Sequence, residues 1–111
     1  HVDPGETPQE AALREVFEES GVRARLVGER ALDVEIPEQL IRPRGVQIEP
    51  IGPGHEHIDF IFYARPLEPY GGELQRNVPE LDWYGPAEVA GLPLTEELEA
   101  WTELAFAELF G

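Results

Sequence analysis

Gly5-Glu6-Thr7-Pro8-Gln9-Glu10-Ala11-Ala12-Leu13-Arg14-Glu15-Val16-Phe17-Glu18-Glu19-Ser20-Gly21-Val22 is the most informative stretch of this chain. Thr7 suits a helix N-cap, Pro8 the first helical position, and Glu10 the place where a capping box wants its acidic partner. Gly21 supplies a C-terminal stop. The spacing predicts a helix from Thr7 to Gly21, with Leu13, Val16 and Phe17 turned toward a core. At about 100° per residue, Glu18 falls roughly 60° to one side of Glu15 and Glu19 roughly 40° to the other, so three carboxylates share one face. Ala11 and Ala12 flank that face and leave room above it.

Such a face is unfavourable by itself. Like charges at i,i+3 and i,i+4 each cost a helix a few tenths of a kcal/mol, roughly, and Arg14 offsets only part of that. A divalent cation would relieve most of the repulsion, and all-oxygen donors suit Mg²⁺ or Mn²⁺ better than zinc. A Glu-x-x-Glu-Glu run alone is more often a solvated helix face, so its surroundings decide.

Composition narrows the field. At 111 residues, one domain is the expectation. Twenty-three acidic residues against eight basic ones, every basic one an arginine, give a formal charge of −15. So acidic a chain argues against a nucleic-acid partner, whose backbone is held by clustered Lys and Arg. A polyanionic ligand would need local neutralisation, which a metal ion can provide. No apolar run approaches the roughly 18 residues of a membrane span, which argues against a membrane partner. Cysteine is absent, excluding disulfides and thiolate metal sites. A cytoplasmic location fits these features.

What surrounds the glutamates is specific. Arg14 precedes Glu15 and lies eight residues after Glu6, Val16 is aliphatic, and Glu18-Glu19 is followed by Ser20-Gly21-Val22. This resembles the box of the Nudix hydrolase family: Gly, five residues, Glu, seven residues, Arg-Glu, aliphatic, any residue, Glu-Glu, any residue, Gly, aliphatic. The match covers about the first fifth of the chain. The opening Gly of the box would fall one residue before His1; Gly5 is not that glycine. Since methionine is also absent, the expectation is one Nudix domain over 1–111 that begins inside the box, with N-terminal strands missing. A backbone carbonyl that the family often uses as a metal ligand would be missing with them.

The resemblance implies an α/β fold, the Nudix α/β/α sandwich with a mixed sheet, and a loop-helix-loop form for the box. It implies that Glu15, Glu18 and Glu19 bind Mg²⁺ (or Mn²⁺), and that Glu6, Arg14 and Gly21 are structural. It also implies attack of water on phosphorus in a small phosphorylated substrate: a phosphoanhydride bond of a nucleoside diphosphate linked to another group. The base would be a box glutamate (Glu15 or Glu19) or a later carboxylate. Glu80, ahead of Leu81-Asp82-Trp83-Tyr84, is the candidate, with Asp82 its competitor. The alternative is a non-catalytic Nudix-like domain that senses a nucleotide or binds a protein, against which the intact glutamates argue. Many relatives pair as homodimers; the sequence does not choose an oligomeric state.

Farther along, Val22 to Val27 and Ala31 to Ile36 read as strands, Pro37 to Gly45 as a loop, and Val46 to Ile51 as a short strand weakened by Pro50. His57 to Ala64 reads as a central strand buried on both sides, with Ile58, Phe60 and Phe62 on one face. Pro69 to Gly72 reads as a turn, and Glu73 to Tyr84 as a short strand with a polar loop. Gly85-Pro86 opens a short helix closed by Gly91. Thr95 caps a last helix whose inner stripe is Leu98, Trp101, Ala105 and Leu109. Three arginine or histidine positions are substrate candidates: Arg42 and Arg44 as a phosphate clamp, and His57 on the strand face shared with Asp59 and Ile61. Ordinary surface roles compete for all three. The His55-Glu56-His57 run is a weak metal candidate, and Tyr63, Trp83 and Tyr84 suit core packing better than base stacking.

Overall fold

The computed structural model describes residues 1–68, 74 and 81–110. The chain divides into two units, His1–Glu80 and Leu81–Gly111. The first begins with helix α1, Pro8–Ser20. Its N-terminus is a full capping box: Glu10 N donates to Thr7 Oγ1 at 3.2 Å, and Thr7 N donates to Glu10 Oε1 at 2.9 Å. A Thr cap of this kind stabilises a helix by about 1 kcal/mol over Ala. At the other end Gly21 adopts φ 75°, a left-handed conformation that glycine reaches without a Cβ clash, and its N–H donates to Phe17 O at 2.8 Å. Buried Ser20 closes the turn, donating to Val16 O and accepting from Val22 N.

Four strands follow among the described residues. β1 (Ala24–Val27) pairs antiparallel with β4 (Tyr63–Pro66), setting Ala24 opposite Pro66 and Val27 opposite Tyr63. β2 (Gly45–Gly52) pairs antiparallel with β3 (His55–Ile61), setting Val46 opposite Phe60, Gln47 opposite Asp59, Ile48 opposite Ile58 and Glu49 opposite His57. The register slips between Pro50 and Gly52, where proline cannot donate to the ladder. Gly54 turns this hairpin at φ 71°. The described strands thus form two antiparallel ladders, order β1-β4 and β2-β3. α1 packs on β1, and the core of this unit is Ala11, Val22 and Tyr63.

The second unit holds α2 (Pro86–Val89) and α3 (Glu96–Phe110). Glu88 Oε1 accepts from Gly85 N at 3.1 Å to start α2, and Thr95 Oγ1 accepts from Leu98 N at 3.2 Å to cap α3. Trp101, Ala105 and Leu109 are half-buried, whereas Leu98 is exposed.

Several sequence expectations need correction. Ala31 to Ile36 is not a strand: Leu32, Val34 and Ile36 are exposed, and the isolated bridge nearby, Arg30 to Ile41, flanks the stretch without including it. Alternation makes a strand only where a neighbour supplies hydrogen bonds, and none lies beside this segment among the described residues. His57 to Ala64 is broken at Phe62 into β3 and β4, which take different partners. β3 is not buried on both sides; Ile58 is 68% and Phe60 46% exposed. Val16 and Phe17 are exposed too, and small Ala11 is the residue of α1 that reaches the core. The Pro69–Gly72 turn, and most of the Glu73–Tyr84 segment, lie outside the described residues.

The Tyr63 hydroxyl is buried and has no hydrogen-bond partner among the described residues. An orphaned buried hydroxyl costs free energy that phenylalanine would not incur. Tyr63→Phe is therefore expected to leave stability unchanged or to raise it by up to about 1 kcal/mol. Urea unfolding checks this, and a loss larger than about 1 kcal/mol would show that the hydroxyl is bonded in solution.

Candidate active site

Arg14 organises the first turns of the chain. Its Nε donates to Glu6 Oε2 at 2.8 Å and its Nη2 to Glu6 Oε1 at 3.1 Å, a two-pronged grip on one carboxylate. The same guanidinium donates to Glu18 Oε2 at 3.2 Å and to His1 O at 2.7 Å. It also lies 3.7 Å from Glu15 Oε1 and 3.5 Å from Asp3 Oδ2. The amine of His1 pairs with Glu15 as well. The loop before α1 is thus tied to the helix by charge, with Glu6 Oε1 also accepting from Asp3 N at 3.0 Å.

These partners shift both ends of the pair. The hydrogen bond from Arg14, then that from the Asp3 N–H, holds the Glu6 carboxyl below its ordinary value of 4.5. Glu6 in turn raises Arg14 further above its already high value. Glu10 is lowered by the Thr7 backbone N–H and hydroxyl.

Beyond this network the helix face opens onto a cleft of about 600 Å³. Pro8, Ala11, Ala12 and Glu15 line it from α1, and His57, Asp59 and Ile61 line it with their neighbours on β3. The small alanines leave the space that a larger residue would fill. His57 and Asp59 are half-buried, and Gln47 Nε2 donates to Asp59 Oδ2 at 3.4 Å. The imidazoles of His55, His57 and His1 form a row, with ring centroids 4.9 and 5.2 Å apart and edges meeting faces.

Of the candidates read from sequence, Glu15 and His57 therefore come together at one cleft. Glu18 and Glu19 are exposed on α1, Glu18 within reach of Arg14. Arg42 and Arg44 do not line the cleft; Arg42 N donates to Glu29 O, and the Arg44 guanidinium lies 5.7 Å from the centre of the Tyr63 ring. Asp82 belongs to the second unit, where its carboxylate accepts from Trp83 N at 2.8 Å. Glu80 lies outside the described residues.

Sequence reading gave no role to two positions. Asp59 enters the cleft beside His57, and strand alternation was the signal for it. Gln9 Oε1 accepts from Ile41 N at 2.7 Å, tying α1 to the segment that carries Arg42 and Arg44. Nothing local in the sequence announces that bond.

Glu15, Glu18 and Glu19 offer hard oxygen donors on one accessible face, the donor chemistry that fits Mg²⁺ or Mn²⁺. Among the described residues no three acidic or histidine side chains are gathered to hold an ion; the Arg14 guanidinium lies against Glu15 and Glu18 instead. A cation would have to displace those contacts.

Known proteins resemble this chain in sequence and in fold. The family model of the NUDIX domain matches residues 1–106. The fold is similar to a crystal structure of a hydrolase of the NUDIX family from Clostridium perfringens, with a TM-score of 0.76 and 26% sequence identity, over 98% of this chain and 77% of that one. The chain belongs to the NUDIX family, and it is a hydrolase of mixed α/β fold.

The lowered value of Glu6 fixes the sign of a pH effect. Its contribution is present in full above 4.5 and is lost as pH falls through the depressed folded-state value. Glu6→Gln should lower the thermal midpoint at neutral pH. The gap from the unsubstituted protein should close as pH falls below 4.5 and through the depressed folded-state value. A gap independent of pH would show that the carboxylate charge is not what braces the loop.

Proposed function

We propose that this chain hydrolyses a phosphoanhydride bond in a nucleoside diphosphate linked to another group, as a nucleotide pyrophosphohydrolase in the broad sense, with Mg²⁺ as cofactor and Mn²⁺ as its substitute. The observation that carries the reading is the placement of Glu15, on the acidic face of α1, in the wall of a cleft floored by Ala11 and Ala12. Glu15, Glu18 and Glu19 are the residues to hold the metal. When bound, it would neutralise phosphate charge and lower the pKa of water at the site.

The protein's own groups have three tasks. The Arg14–Glu6 pair keeps the loop and helix in one arrangement, so that the carboxylates stay on one accessible face. A carboxylate takes the proton of the attacking water; Glu15 and Glu19 are the box candidates and Glu80 the candidate from the later loop. The cleft wall between α1 and β3 receives the diphosphate. Electrons pass from water oxygen to phosphorus, and the bridging oxygen leaves with the departing phosphate group.

A panel of nucleoside triphosphates, ADP-ribose and dinucleoside polyphosphates, assayed with and without Mg²⁺ or Mn²⁺, tests the reading directly. Turnover is expected only with metal. Glu15→Gln, Glu18→Gln and Glu19→Gln should each cost about a hundredfold or more in kcat, and Glu80→Gln a similar amount if it is the base. Full activity in Glu80→Gln would leave the base among the box glutamates. No turnover of any diphosphate by the full chain would sink the proposal.

A further inference from the structure

A chain of formal charge −15 must still take hold of an anion. The cleft makes this harder, since Glu15 and Asp59 both line it. Every basic residue of the sequence is an arginine, yet no arginine is among the described residues of the cleft wall. Arg14 is engaged by Glu6 and Glu18, and Arg44 lies against Tyr63. The side chains of the wall that can donate a hydrogen bond to phosphate are imidazoles: His57, with His1 beside it.

His57 is also held in place. Its strand is paired to β2, with Glu49 directly opposite, which fixes the Cβ position. Its ring stands edge-to-face with that of His55 on one side and that of His1 on the other, at 4.9 and 5.2 Å. It is half-buried, so little rotamer freedom remains to be lost on binding. Imidazole always has at least one N–H donor, and two when protonated.

We propose that His57 grips the substrate, donating a ring N–H to a non-bridging phosphate oxygen of the diphosphate bound against Glu15. This rests on reading the cleft as a phosphoanhydride-hydrolase site. His57 is then the residue that supplies from the protein the positive or hydrogen-bonding contact that Arg42 and Arg44 do not bring to this wall. The ligand class is a diphosphate, recognised through its oxygens and independently of the groups it links.

The test separates binding from turnover. Binding of methylenediphosphonate, a diphosphate that cannot be hydrolysed, is measured by calorimetry on the full chain with Mg²⁺. His57→Ala should weaken it by about tenfold to a hundredfold, the worth of a hydrogen bond to a charged group. His57→Gln, which restores an N–H donor, should recover part of the loss. In the turnover assay the His57→Ala effect should appear in KM more than in kcat. Equal affinity in His57→Ala and the unsubstituted protein overturns the proposal, as does failure of the unsubstituted protein to bind the probe. Should His57→Ala fail to fold, His57→Phe, which keeps an aromatic ring without a donor, takes its place with the same expected loss. Loss of probe affinity without turnover of any diphosphate would refute the hydrolase reading alone; turnover with unaltered probe affinity would refute the grip alone.

Discussion

Arg14 stands in a crowd of negative charge, and its guanidinium is what keeps that crowd in order. Glu6, Glu15, Glu18 and Asp3 all lie within ion-pair range of it, and its fork closes on both oxygens of Glu6. Without a cation there, the loop carboxylate and the helix carboxylates would repel one another and the loop would swing away. Lysine could not do the same work, because the planar fork binds two oxygens at once while still donating elsewhere. The orientation of Glu15 toward the cleft follows from this arrangement together with the capped ends of α1.

The hairpin β2-β3 has an unusual distribution of polarity. Gln47, His57 and Asp59 on one face are half-buried, whereas Val46, Ile48, Ile58 and Phe60 on the other are 60%, 64%, 68% and 46% exposed. The polar face is the one that carries His57 and Asp59 to the cleft. A rule that sends alternate apolar residues inward would therefore point this strand the wrong way for function. Alternation reveals which residues share a face, and the neighbour that lies against the face decides what it does.

Charge ties these observations together. An acidic hydrolase whose ligand is an anion must balance repulsion at the site by a cation, by hydrogen-bond donors, or by both. The helix glutamates suit the first, and the imidazole on β3 suits the second. Among the described residues three arginines serve elsewhere: Arg14 in the brace, Arg23 over the ring of Phe17 at 4.9 Å, and Arg44 beside Tyr63.

The helix and its family were legible in the sequence alone. Caps, carboxylate spacing and the Arg14–Glu6 interval are set within about two turns of chain, where i,i+3 and i,i+4 geometry leaves few alternatives. The two helices of the second unit were readable for the same reason, from Gly85-Pro86 and Thr95. Only the tertiary structure decided that residues 31–36 have no strand partner among the described residues, that Phe62 separates β3 from β4, and that Gln9 bonds to Ile41 across 32 positions. The meeting of Glu15 with His57 and Asp59 belongs to that second kind. Strand pairing and cleft formation join residues far apart in the chain, and no local preference encodes which segment comes to lie beside which.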